Sequence, residues 1–159
     1  MMNVNFIVMG KLKESFYREA CAEYQKRLGA FAKVTVKEPP PEELPQSPSP
    51  AQIEKALEKE AALIGEQIKS GYKIALCVEG KALSSEELAK KLGVLGTSGV
   101  STVSFIVGSS FGLSETLKRE CDFRLSMSPM TFPHALARVM LFEQVYRAFS
   151  ILNNSKYHK

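Results

Sequence analysis

Two side chains at the start of a C-terminal apolar stretch are best suited to proton and charge chemistry: His134 and Arg138, in PHALARVMLFEQVYRAFSIL. On a helix, residues at this spacing share a face, and Pro133 just before them fits the first helical turn. The positive end of that helix disfavours an imidazolium. His134 is therefore placed to accept a proton, with Arg138 on the same face. Upstream, Met127, Ser128, Pro129, Met130, Thr131 and Phe132 set apolar side chains beside two hydroxyls on a proline-stiffened loop, the mixture that lines small-molecule pockets. A second loop, Gly108-Ser109-Ser110-Phe111-Gly112, follows a buried apolar run and precedes a helix start, where backbone N–H groups cradle ligands. It has neither the GxGxxG spacing nor the Lys-Ser/Thr of a P-loop. The chain ends in NNSKYHK, whose cations, amides and aromatic ring suit phosphate contact and base stacking. Each feature also has a plainer reading: a capping histidine, a tight turn, a packed connector, a frayed terminus.

The elements that must position these residues are legible in the pattern. Asn3 to Met9 alternates, with Val4, Phe6 and Val8 on one side, as a strand does. From Lys13 to Leu28 the set Leu12, Phe16, Ala20, Tyr24, Leu28 predicts an amphipathic helix, and Val34 with Val36 a short strand. Six prolines between Pro39 and Pro50 exclude helix and central strand there, which predicts a mobile loop. Ser49, Pro50 and Gln52 then form a helix start with a capping box. The stripe Ile53, Leu57, Ala61, Ile64, Ile68 follows, and Gly71 closes that helix. Lys73 to Val78 is a nearly all-apolar strand of the doubly covered kind. Ser84 with Glu87 opens a helix expected to fray from Gly93 to Gly99. Thr102 to Val107 is a buried strand, Ser114 caps a short helix to about Cys121, and Phe123 to Ser126 is a last strand. Strands alternating with helices imply one α/β domain over 1–159, with a mostly parallel sheet and helices on both faces. In such sheets ligands sit beyond the C-terminal strand ends, here after Val78, Val107 and Ser126.

Composition narrows the partners. An apolar fraction of 45% with 24% charge is that of a globular chain. Arg138, Glu143 and Arg147 interrupt the last apolar stretch, so it makes a poor membrane span, and Asn3 and Asn5 break any leader-like run; a cytoplasmic protein is expected. Cys21, Cys77 and Cys121 lack metal or redox spacing and read as free thiols, with no metal. From Arg124 onward, five Lys and Arg residues face only Glu143, a bias that suits a polyanion.

The segments IVGSSFGLS and LSMSPMTFPHALARVMLFEQVYRAFSILNN, the terminal YHK, the GKLKE opening and the LxxxGK of Leu76 to Lys81 closely resemble the small SPOUT-class methyltransferases. More narrowly they resemble the ribosomal RNA large subunit methyltransferase H family. The similarity spans the whole chain. It implies S-adenosylmethionine as cofactor, methylation of N3 of a pseudouridine in 23S ribosomal RNA on the ribosome, a homodimer, and a C-terminal trefoil knot, a rare exception to ordinary topology. By motif it implies a cofactor pocket of Leu76, Gly108 and Met127 to Phe132, catalysis by His134 and Arg138, and RNA gripped by Tyr157, His158 and Lys159. Ser109 stands where family members usually carry a second glycine, which is expected to alter the pocket slightly. Two other classes fit the residues: a non-catalytic ribosome- or RNA-binding assembly factor, which need not bind the cofactor, and a small-molecule nucleotide enzyme, to which the basic tail is superfluous.

Overall fold

A computed structural model describes residues 1–159. Ten elements follow one another as β1 (Asn3–Val8), α1 (Ser15–Leu28), β2 (Lys33–Lys37), α2 (Pro50–Glu66), β3 (Tyr72–Ala82), α3 (Ser85–Thr97), β4 (Thr102–Val107), α4 (Glu115–Glu120), β5 (Phe123–Ser126) and α5 (His134–Leu152). The strands form one sheet in the order β2-β1-β4-β3-β5, and every pairing is parallel. All five C-terminal strand ends therefore open on the same side.

Strand alternation divides the core in two. Val4, Phe6 and Val8 of β1 join Cys21 and Leu28 of α1, Leu88 and Leu92 of α3, and Leu141, Phe142 and Val145 of α5. Ile7 of the same strand points the other way, into a smaller cluster with Ile64 of α2, Ala75, Ile106 and Leu117 of α4. The helices thus cover both faces, three against two. Burying the central side chains on both sides is what makes β4 read as TVSFIV rather than as an alternating strand.

Helix starts follow their capping signals. Ser49 and Gln52 make the reciprocal box, with Ser49 N–H donating to Gln52 Oε1 at 2.8 Å and Gln52 N–H to Ser49 Oγ at 3.2 Å. Ser84 and Ser114 each accept one backbone N–H at 3.1 Å; the return bond from Glu87 is not made.

Four expectations change. α1 buries Cys21 and Leu28, while Phe16 stays 61% exposed: a strict four-residue spacing drifts off a 3.6-residue helix. α2 ends at Glu66, before Gly71, and buries Ala56, Glu60 and Ile64. α3 does not fray at Gly93, because the bare glycine lets Leu152 of α5 lie against it: an added Cβ would meet Leu152 Cδ2 at 2.9 Å. The proline segment forms no helix or strand but is tied down, with Gly10 N–H donating to Pro39 O at 2.8 Å and Glu42 N–H to Glu60 Oε2 at 2.9 Å.

Candidate cofactor cavity and its surroundings

A cavity of about 590 Å³ opens beyond the C-terminal ends of β4 and β5 and beside the middle of β3. Regular pairing of β3 with β5 breaks there, after Leu76, although the strand runs on to Ala82 rather than stopping at Val78. The volume is within the size range of small-molecule and cofactor sites. β3 supplies Leu76, Cys77, Val78 and Glu79, and β4 with its turn supplies Val107 to Leu113. The segment after β5 supplies Met127, Ser128, Met130, Thr131 and Phe132, and α5 begins on the rim with His134. Pro129 lies within this last loop but does not line the cavity.

The turn after β4 is folded tightly on itself. Gly112 N–H donates to Ser109 O at 2.8 Å, and Gly112 takes a left-handed φ of +84°. A Cβ on Gly108 would drive into the Gly112 carbonyl, so the backbone can be this close only without a side chain. In the loop after β5, Ser128 Oγ accepts from Met130 N–H at 3.0 Å and Ser126 Oγ donates to Ser128 O at 3.1 Å. These bonds turn the serines onto their own backbone and free the apolar side chains to form the wall.

Charge is sparse and paired at the edge. Lys118 of α4 bridges Glu79 at 2.5 Å and Glu115 at 3.0 Å. The Lys118 hydrogen bond holds Glu79 below the usual carboxylate range. Burial alone would lower the Lys118 ammonium, but its two carboxylate partners outweigh it and leave the group raised. Burial pushes the Cys77 thiol up, so it stays protonated, a wall rather than a nucleophile. No three His, Cys, Asp or Glu residues are grouped to hold a metal ion.

Arg138 departs from its expected place. It is 3% exposed and lines neither this cavity nor its rim. Its guanidinium donates to Glu38 Oε2 at 2.7 Å, Gly10 O at 2.7 Å and Met9 O at 3.3 Å. Helical spacing puts His134 and Arg138 on one side of α5, but Arg138 is long enough to reach under the sheet edge, where the carboxylate and two carbonyls accept from its two terminal nitrogens while its buried Nε has no partner. The group is spent on joining β1, β2 and α5.

The tail is docked, not frayed. Tyr157 donates to Glu143 Oε1 at 3.0 Å, and its ring lies 4.7 Å from that of Tyr146. His158 bonds Arg147 through Nδ1 at 3.1 Å and Glu86 through Nε2 at 2.8 Å. Burial and the bond to Glu143 push the Tyr157 phenol up to about 12. Neither Tyr157, His158 nor Lys159 lines the cavity of its own chain.

A family model described as "Predicted SPOUT methyltransferase" matches residues 2–158. The chain belongs to the SPOUT methyltransferases. Within that family it is 45% identical over 159 residues to the ribosomal RNA large subunit methyltransferase H of Leuconostoc citreum, covering 99% of this chain and all of the relative. Its counterpart of the same name in Alkaliphilus oremlandii is 46% identical over the same span. A methyltransferase structure from Bordetella pertussis matches with a TM-score of 0.55 at 17% identity, over 93% of this chain and 95% of that one. A Legionella pneumophila methyltransferase, solved with SAM bound, matches with a TM-score of 0.51 at 14% identity, over 92% and 66%. At such identities the structural likeness speaks to the SPOUT fold, and the near-full-length sequence matches carry the family.

Sequence reasoning missed Glu60, a carboxylate that is 4% exposed and bonded to the Ser109 hydroxyl at 2.8 Å. The signal was present: a glutamate set between Ala56 and Ile64 on the buried side of α2.

Proposed function

We propose that this SPOUT methyltransferase binds S-adenosylmethionine in the cavity beside β3 and beyond β4 and β5 and methylates N3 of a pseudouridine in 23S ribosomal RNA, on assembled ribosomes in the cytoplasm. The observation that carries the reading is the convergence of three segments, Leu76 in β3, Gly108 just after β4 and Met130 in the loop after β5, on one cavity with an imidazole at its rim. The names and full-length match of the relatives support the substrate class. The trefoil knot and homodimer implied by the resemblance belong to the same proposal. Because the tail lines no part of its own chain's cavity, RNA held by Tyr157, His158 and Lys159 must either span the chain's surface or meet the cavity of a second subunit.

The cavity fits the cofactor in kind: apolar walls for an adenosyl group, a turn that can close on itself only because Gly108 is bare, and the paired Glu79 and Lys118 where polar substituents need partners. S-adenosylmethionine supplies an electrophilic methyl carried on a sulfonium. Leu76, Val107, Leu113, Met127 and Phe132 give the cavity an apolar lining, suited to a transfer in which positioning rather than strong acid or base chemistry dominates the rate. His134 takes the proton leaving N3, which lies between two carbonyls, or orients it.

The direct test is to incubate the protein and S-adenosylmethionine with ribosomes from cells lacking the gene, then read the nucleosides by mass spectrometry. One methylated pseudouridine in 23S RNA is expected; no methyl in RNA overturns the reading, and absence of cofactor binding in calorimetry would favour the assembly-factor alternative. His134→Ala is expected to slow methylation about 10²–10⁴-fold while cofactor affinity stays within about threefold. A wild-type rate would remove His134 from the chemistry.

A further inference from the structure

Glu60 is the carboxylate the reaction above does not use. It sits in the buried side of α2 between Ala56 and Ile64, is 4% exposed, and takes part in no salt bridge. A buried carboxylate without a cation is costly, and such a group persists where its hydrogen bonds hold something in place. Its two oxygens each accept one donor: Oε1 from the Ser109 hydroxyl at 2.8 Å and Oε2 from Glu42 N–H at 2.9 Å. Those donors lie on two segments with no regular structure of their own, the turn after β4 and the proline segment. Ser109 lines the cofactor cavity, whereas Glu60 and Glu42 line a second cavity of about 680 Å³. Ser109 to Phe111, Pro133 and His134 form the wall common to both.

From this arrangement we propose that Glu60 is a positioning residue for cofactor binding: through Ser109 it fixes the orientation of the Gly108–Gly112 turn and, with it, the wall between the two cavities. Ser109 is then the donor that a buried acceptor on α2 uses. The inference rests on S-adenosylmethionine occupying the first cavity. It adds that the turn is held from behind, by a residue that does not touch the cofactor.

The test measures S-adenosylmethionine affinity by calorimetry, with melting temperature and steady-state kinetics beside it, for Glu60→Gln, Ser109→Ala, the double variant and Ser109→Thr. Each single change is expected to weaken cofactor affinity about 5–20-fold and to raise the cofactor KM with kcat held within about threefold. The double variant is expected to be no worse than the weaker single, because both remove one bond. Ser109→Thr, which keeps the hydroxyl, is expected to restore affinity to within about threefold of wild type. Ser109 is only half-buried in a turn, so its variants report even where Glu60→Gln fails to fold. Affinities within about twofold of wild type in Ser109→Ala, or losses that multiply in the double variant, would overturn the proposal. Failure of wild type to bind the cofactor at all would instead sink the cofactor assignment on which it rests.

Discussion

Arg138→Ala is expected to destabilise the protein by about 3–5 kcal/mol, the usual cost of removing one partner from a buried, hydrogen-bonded ion pair. The deletion leaves Glu38 without its cation and the Met9 and Gly10 carbonyls without their donor. Glu38 is about one-third exposed, so water recovers part of its share, and most of the loss comes from the two carbonyls and the emptied space around the 3% exposed arginine. Arg138→Lys keeps the charge but not the planar fork that serves three acceptors at once, and is expected to lose about half as much. Urea unfolding monitored by circular dichroism reads both. A midpoint shift equivalent to less than about 1 kcal/mol for Arg138→Ala would mean that the cluster contributes only geometry. Near 10 °C, where the variant remains folded, a methylation rate that falls with no fall in folded fraction would return Arg138 to the chemical step.

The same residue marks the boundary of what the chain discloses about itself. Local patterns set each element: capping serines at 49, 84 and 114 start helices where they should, and apolar runs give buried strands. The ends of β4 and β5 meet one cavity because a parallel sheet places them so, whereas the break within β3 that adds Leu76 to Glu79 leaves no sign in the apolar run. What stays hidden is long-range. The partner of Arg138 is a hundred residues away, on the far edge of the sheet, and nothing in the spacing of His134 and Arg138 distinguishes a helix face that meets a pocket from a side chain that curls beneath a strand. The order β2-β1-β4-β3-β5 is likewise a property of pairing between segments, which periodicity within a segment does not encode. Gly93 is the reverse case: propensity argues for a broken helix, and close packing against Leu152 overrides it.

Gly108→Ala is expected to lower S-adenosylmethionine affinity at least about 100-fold, or roughly 2.7 kcal/mol, with only a modest fall in melting temperature. The added Cβ enters the Gly112 carbonyl and crowds Leu113 Cδ2 at 3.0 Å. The leucine methyl could swing aside, but the Gly112 carbonyl is backbone and cannot, so the turn must open. Opening it breaks the Gly112 N–H to Ser109 O bond and moves the cavity wall. Gly112→Ala provides the contrast. No atom lies within 4 Å of its Cβ position, but φ is +84°, so the cost is the left-handed conformation, about 1–2 kcal/mol. If close approach at Gly108 shapes the site, calorimetry will find Gly108→Ala nearly non-binding and Gly112→Ala weakened by no more than about 10-fold. Equal losses in the two variants would show that backbone freedom at either glycine matters more than space at Gly108, and the account of the turn as a sterically closed cradle would then fail.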